Sequence, residues 1–146
     1  MTDIVLSFTL LLLAIIAECP GTDTELGVTG GDDQKRYEQY RETYTNCTVV
    51  QGNLEIVFIK LTDTQYDFGF LDTILEVNGY VLIFGNHVDR IRLTRLRIIR
   101  GLKLFEAMEN GIQRNFSLYV SSNAKAEDNS VGLKELRLLS LVGTLL

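Results

Sequence analysis

Two segments of this chain open alike, 27 residues apart: Gly52-Asn53-Leu54-Glu55-Ile56 and Gly79-Tyr80-Val81-Leu82-Ile83. A period in the twenties belongs to solenoids, where each turn supplies a strand and stacks it on the turn before. Around this echo, short apolar runs at 54–59, 80–84, 98–99 and 116–120 are separated by Gly, Asn and Asp. Their length and β-rich composition predict strands. Leu71, Ile74, Leu75 and Val77 lie between the echoed strands, placed to fill the inside of a turn. The expected architecture is mainly β: a short right-handed parallel β-helix, a solenoid of leucine-rich-repeat character. A twisted β-sandwich is the alternative.

The N-terminus points to export. Residues 4–17 are uncharged and almost all apolar. Fourteen residues are too few to cross a bilayer comfortably, which takes about 20. They fit the apolar stretch of a signal peptide spanning 1–17, with Ala17 as the small residue at the cleavage point and Glu18 as the new N-terminus. A buried N-terminal helix is the other reading. The chain has two cysteines, Cys19 and Cys47, both beyond that cut. In an oxidising compartment an even pair reads as one disulfide; two free buried thiols are the alternative. Asn46-Cys47-Thr48 and Asn115-Phe116-Ser117 both match the acceptor pattern for N-glycosylation.

With 146 residues the chain has room for one domain. Its net charge of −5 argues against a general nucleic-acid binder. Two Cys and one His cannot make the usual four-ligand zinc cage alone, so no metal site is expected, and no cofactor. Residues 33–45 are densely polar, but Tyr37, Tyr40 and Tyr44 recur at three and four. That spacing puts three rings on one face of a helix, where core packing explains them best. Arg90, Arg92, Arg95, Arg97, Arg100 and Lys103 interleave with Ile91, Leu93, Leu96, Ile98 and Ile99. The alternation predicts apolar side chains inward and charges outward. A strip for heparin-like glycans or an acidic partner is the sharper alternative.

The segment Cys47-Thr48-Val49-Val50-Gln51-Gly52-Asn53-Leu54-Glu55-Ile56 resembles the opening turn of receptor L domains. The stretch 66–101 carries the likeness further, through Gly79-Tyr80-Val81-Leu82-Ile83, Arg90-Ile91 and Ile98-Ile99-Arg100-Gly101. Gly132-Leu133-Lys134-Glu135-Leu136 extends it again. The pattern is most similar to the first L domain of epidermal growth factor (ErbB-type) receptor tyrosine kinases. That resemblance implies a β-helix capped by an N-terminal helix, a disulfide between Cys19 and Cys47, and a receptor L domain over 18–146 cut short at its C-terminal end. It implies a sheet face that binds a protein of the epidermal growth factor type, held between two L domains. Another receptor ectodomain is a further partner it implies. Carried over by position, the ligand face takes Leu26, Val28, Phe58 and Glu106. Gly85 falls where some relatives carry a bulky apolar residue, and the segment around Met108 to Arg114 is longer than usual.

Catalysis is not expected in this chain. Asp67-Phe68-Gly69 spells the magnesium-binding tripeptide of protein kinases, yet no phosphate loop or His-Arg-Asp catalytic loop accompanies it. His87, the one histidine, has no nucleophile motif to serve and is expected in a surface loop. The expected function is extracellular: an L domain that contributes growth-factor binding to a longer transmembrane receptor tyrosine kinase. A secreted decoy that sequesters growth factor, or a leucine-rich adhesion module, are the alternatives.

Overall fold

The computed structural model describes residues 16–24, 26, 31–60, 66–125 and 128–144. Most of the expected signal peptide, and Val28, lie outside the described residues. In chain order the strands are β1 (Glu18–Cys19), β2 (Val49–Val50), β3 (Leu54–Val57), β4 (Glu76–Val77) and β5 (Val81–Phe84). They continue with β6 (Arg90–Arg92), β7 (Ile98–Ile99), β8 (Phe105–Glu109), β9 (Ile112–Phe116) and β10 (Leu118–Ser121). The last are β11 (Ala124–Lys125), β12 (Asp128–Gly132), β13 (Glu135–Arg137) and β14 (Gly143–Thr144). Helix α1 (Asp33–Tyr44) stands between β1 and β2, and a 3-10 helix, Gly69–Thr73, precedes β4.

The protein is mainly β. Among the described residues the long-range strand pairs are parallel and no sheet closes on itself. One sheet runs β1-β2-β4-β7-β14 and a second runs β10-β5-β3; β13 pairs with β6. Hairpins β8–β9 and β11–β12 are antiparallel. The echo sets the register: Leu54 pairs with Val81 and Ile56 with Ile83. Gly79 is there because nothing larger fits. A Cβ on it would lie 1.9 Å from Asn53 Oδ1, which accepts the Tyr80 N–H at 3.2 Å. The side chain of one turn thus closes a backbone bond of the next.

Asparagines repeat that device at the other end of the strands. Asn86 Oδ1 accepts from Ile59 N at 3.1 Å, and its Nδ2 donates to Ile56 O at 2.7 Å and to Asn123 Oδ1 at 3.1 Å. Asn123 donates in turn to Ile83 O at 2.8 Å. The backbone groups of buried Ile56, Ile59 and Ile83 need partners within the protein, and a side-chain amide supplies them.

Strand alternation sorts the side chains into two layers. Leu54, Ile56, Val81, Ile83, Ile91, Leu93, Leu96 and Ile99 join the main core with Leu71, Ile74 and Val77. Leu75 is half-buried. Arg95 and Arg97 point outward, as the alternation predicts. Helix α1 closes the N-terminal end of this core. Asp32 caps it by accepting from Gln34 N at 2.9 Å. Its buried face is the tyrosine stripe. Tyr37 donates to Asp67 O at 2.8 Å, Tyr40 accepts from Val57 N at 3.2 Å, and Tyr44 shares a bond with the Thr22 hydroxyl at 2.8 Å. Each such ring removes on the order of 150–250 Å² from water. A disulfide joins Cys19 to Cys47 just past the helix. Ala17 also belongs to the fold, since its carbonyl accepts from Thr48 N at 2.7 Å.

The strands differ from the sequence expectation in one run and in one added hairpin, and the runs 54–59 and 80–84 are trimmed to Leu54–Val57 and Val81–Phe84. The run 116–120 is not one strand: β9 ends at Phe116, Ser117 is buried, and β10 begins at Leu118 with β5 as its new partner. The hairpin β8–β9 was not expected at all. Asn110 and Gly111 turn it with φ of 51° and 78°, the paired positive values of the tight hairpin turn.

Candidate ligand-binding face

The side of sheet β10-β5-β3 that faces away from the main core carries its own apolar cluster. Val57, Tyr80, Leu82 and Phe105 are buried in it, and Leu26, Phe58, Phe84, Ala107 and Tyr119 pack against them half-exposed. The period of two explains the membership: Val57, Leu82, Phe84 and Tyr119 are the residues that the main core does not take. Phe105 stacks between Tyr80 and Tyr119, at ring distances of 5.6 and 5.1 Å.

Glu55 belongs to this side by alternation, and it is fully buried. Its Oε1 accepts from the Tyr80 hydroxyl at 2.5 Å, and Oε2 accepts from the backbone and the hydroxyl of Thr24, each at 2.5 Å. A buried carboxylate is tolerable only with such donors. Glu55 therefore pins the segment before Leu26 onto the sheet.

Phe58 ends β3 with a left-handed φ of 53°. Three bonds hold that turn. Its N–H donates to Phe84 O at 2.9 Å, and its carbonyl accepts from Arg36 Nη1 at 2.8 Å. Arg36 is paired at 3.2 Å with Asp33, whose Oδ2 accepts from Lys60 N at 3.1 Å. The first turn of α1 thus fixes the Phe58 backbone, and the ring lies edge-on to Phe84 at 5.5 Å.

Of the residues expected at the ligand face, the described ones, Leu26, Phe58 and Glu106, do not all come together, and Val28 lies outside the described residues. Leu26 and Phe58 share the apolar cluster. Glu106 lies on β8 and alternates with Phe105 and Ala107, so it faces the opposite way from them. It is exposed and accepts from Gln113 Nε2 at 2.7 Å. Beside it is an open groove of about 670 Å³, lined by Tyr80, Leu102, Leu104, Phe105, Glu106 and Asn115 among others. Asn46 and Asn115 are both exposed. Sequence reasoning missed Glu55, Tyr80, Phe84 and Tyr119. One signal was present: a lone glutamate inside the apolar run Leu54-Glu55-Ile56-Val57.

The receptor L domain model matches residues 46–145. The chain belongs to the receptor L domain family. Among the relatives of this L domain is the melanoma receptor tyrosine-protein kinase of Xiphophorus maculatus, 38% identical over 143 residues, which covers 90% of the chain and 11% of the relative. Receptor tyrosine-protein kinase erbB-2 of Rattus norvegicus is 37% identical over 132 residues, 84% of the chain and 10% of that protein. Receptor tyrosine-protein kinase erbB-4 of Mus musculus is 39% identical over 123 residues, 84% of the chain and 8% of its own length. The L domain thus spans about a tenth of the relatives it matches.

An L domain is a ligand-binding module and not a catalytic domain. Asp67-Phe68-Gly69 has a structural part here. Phe68 is buried in the core, and Asp67 Oδ1 accepts from Gly69 N at 2.9 Å to start the 3-10 helix. His87 lies in the loop between β5 and β6, half-buried, its N–H bonded to Ile59 O at 2.7 Å. Three of the six cations of the basic strip are paired with neighbouring carboxylates. Arg90 meets Glu135 at 2.6 Å, Arg100 meets Glu76 at 2.8 Å and Lys103 meets Asp23 at 2.9 Å. Among the described residues no helix is long and apolar enough to cross a membrane, and no group of three or more His, Cys, Asp or Glu is placed to hold a metal.

Proposed function

We propose that this L domain is an extracellular module that binds a protein of the epidermal growth factor type on the outer face of sheet β10-β5-β3, within a longer receptor tyrosine kinase. The stacked parallel turns are proposed to wind right-handed, as parallel crossovers do. The observation that carries the reading is the half-exposed apolar cluster of Leu26, Phe58, Phe84, Ala107 and Tyr119. Aromatic and aliphatic side chains held rigidly at a surface are what protein interfaces use as anchors. Phe58 is held by its neighbours before any partner arrives, so little ordering is lost on binding.

The test is a titration of epidermal growth factor and its paralogues against the purified chain. Phe58→Ala is the diagnostic variant. Micromolar binding is expected, because the family holds its ligand from two L domains and this chain has one. Phe58→Ala should weaken it by about tenfold, the effect of losing one buried anchor. Saturable binding that is indifferent to Phe58→Ala would move the site elsewhere, and no binding by any of these growth factors would remove the reading.

A further inference from the structure

The acceptor pattern at Asn115 lies in an instructive place. In the β8–β9 ladder Asn115 pairs directly with Glu106, and Met108 pairs with Gln113. Opposite residues in such a ladder have Cβ atoms about 5 Å apart and point the same way. The Gln113–Glu106 bond agrees, since Gln113 and Asn115 are on one side of β9. Asn115, Glu106, Gln113 and Met108 therefore form one solvent-facing side of the hairpin. Asn115 also lines the groove shared by Tyr80 and Glu106. Its side chain is exposed, so a substituent on it costs the fold nothing. Asn46 is exposed too, but the residue after it, Cys47, is tied into the disulfide.

We propose that Asn115 carries an N-linked glycan, and that this glycan closes the Glu106 side of the hairpin and its groove to protein partners. The Nδ2 atom of Asn115 attacks C1 of an oligosaccharide carried on a polyprenyl diphosphate. The N–C1 bond forms, the C1–O bond to the diphosphate breaks, the polyprenyl diphosphate leaves, and one amide proton is lost to base. A branched oligosaccharide rooted beside Glu106 is larger than a groove of about 670 Å³ and stands at its mouth. This rests on the proposed ligand face in one respect: it divides that face, because a growth factor reaching a glycosylated chain has the Phe58 cluster to bind and not Glu106.

The experiment expresses the full chain through the secretory pathway of cultured animal cells. Intact mass is read before and after a glycosidase that cleaves amide-linked glycans. Asn115→Gln and Ser117→Ala should each remove the same glycan mass, and Ser117→Thr should keep it. Occlusion is read with an antibody fragment selected against the Asn115→Gln chain and mapped to the hairpin by its loss on Glu106→Ala and Met108→Ala. That fragment should bind the glycosylated chain about tenfold or more weakly, through steric exclusion, and recover after glycosidase treatment. Absence of glycan mass at Asn115, or fragment affinities equal with and without the glycan, overturns the proposal. Growth-factor titrations of the same preparations report separately. If growth factor binds no form while mass and fragment results hold, the ligand reading falls and the glycan shield stands.

Discussion

Phe58 lies across Gly85. A Cβ on Gly85 would meet Phe58 Cδ1 at 2.7 Å, and Gly85 has a φ of 69°. The ring occupies the room that a side chain there would need. Gly85→Ala is therefore expected to strain the backbone and to push the ring off Phe84. The expected loss is about 1–2 kcal/mol of unfolding free energy, read as a lower urea midpoint. An unchanged midpoint would show that the ring moves freely and is not a fixed anchor.

The Cys19–Cys47 disulfide closes a separation of 28 residues between β1 and the end of α1. In the chain-entropy account a loop of that size is worth about 3–4 kcal/mol. Replacing both cysteines with Ser should lower stability by that amount. Equilibrium unfolding of the double variant checks it, and a loss under about 1 kcal/mol would show that stacking alone orders the N-terminal turn.

Burial pushes the Tyr40 hydroxyl up to about 12, and burial shifts Tyr44 the same way. Both groups hold their proton more tightly folded than unfolded. Their contribution is intact below the unfolded value, near 10. It is lost as pH rises from there through the folded value. Stability should fall above pH 10 by about 1.4 kcal/mol per pH unit for each tyrosine. Urea midpoints across that range test it, with Tyr40→Phe expected to flatten the slope.

Asn86 is buried and satisfies backbone groups on the turn before its own. Asn86→Ala leaves the Ile59 N–H and the Ile56 carbonyl without that partner. A loss of about 2–3 kcal/mol is expected. Thermal unfolding checks it, and a loss within about 0.5 kcal/mol, the range of an ordinary surface change, would mean water replaces the amide.

Arg90, Arg100 and Lys103 are engaged with carboxylates. Retention of the chain on a heparin column should therefore be weak, with elution by about 0.15 M salt. Strong retention reduced by Arg95→Ala with Arg97→Ala would establish a sulfated-glycan strip instead.

The stacking was legible because it repeats in residues that can only mean one thing locally. Gly79 must be small to pass Asn53, so the echo with Gly52-Asn53 marks the register itself. The tyrosine stripe was legible for the same kind of reason, since three and four is a helical spacing. The β8–β9 hairpin was not. Phe105-Glu106-Ala107-Met108-Glu109 and Ile112-Gln113-Arg114-Asn115-Phe116 have little β-branched content, and in the second every residue but Phe116 is exposed. Only the Asn110-Gly111 pair signalled it. The candidate face was half legible. Phe58 came from the resemblance, but its place depends on Arg36 and Gly85, which meet it only once α1 and β5 are folded. Glu106 came from position alone, and the hairpin turns it away from Ala107.

The asparagines that join successive turns are unevenly spaced along the chain. Ile59 and Asn86 are 27 residues apart, while Asn86 and Asn123 are 37 apart, and the hairpin lies within that longer step. Leu118 nevertheless falls into line with Val81. Length has been added to one circuit and the neighbouring circuits do not record it. Such a wall can gain or exchange a loop by a single genetic insertion while its stacked layers stay in step. The β8–β9 arm is then a natural port for grafting: a foreign recognition sequence between Met108 and Gln113 would be displayed without asking the scaffold to refold.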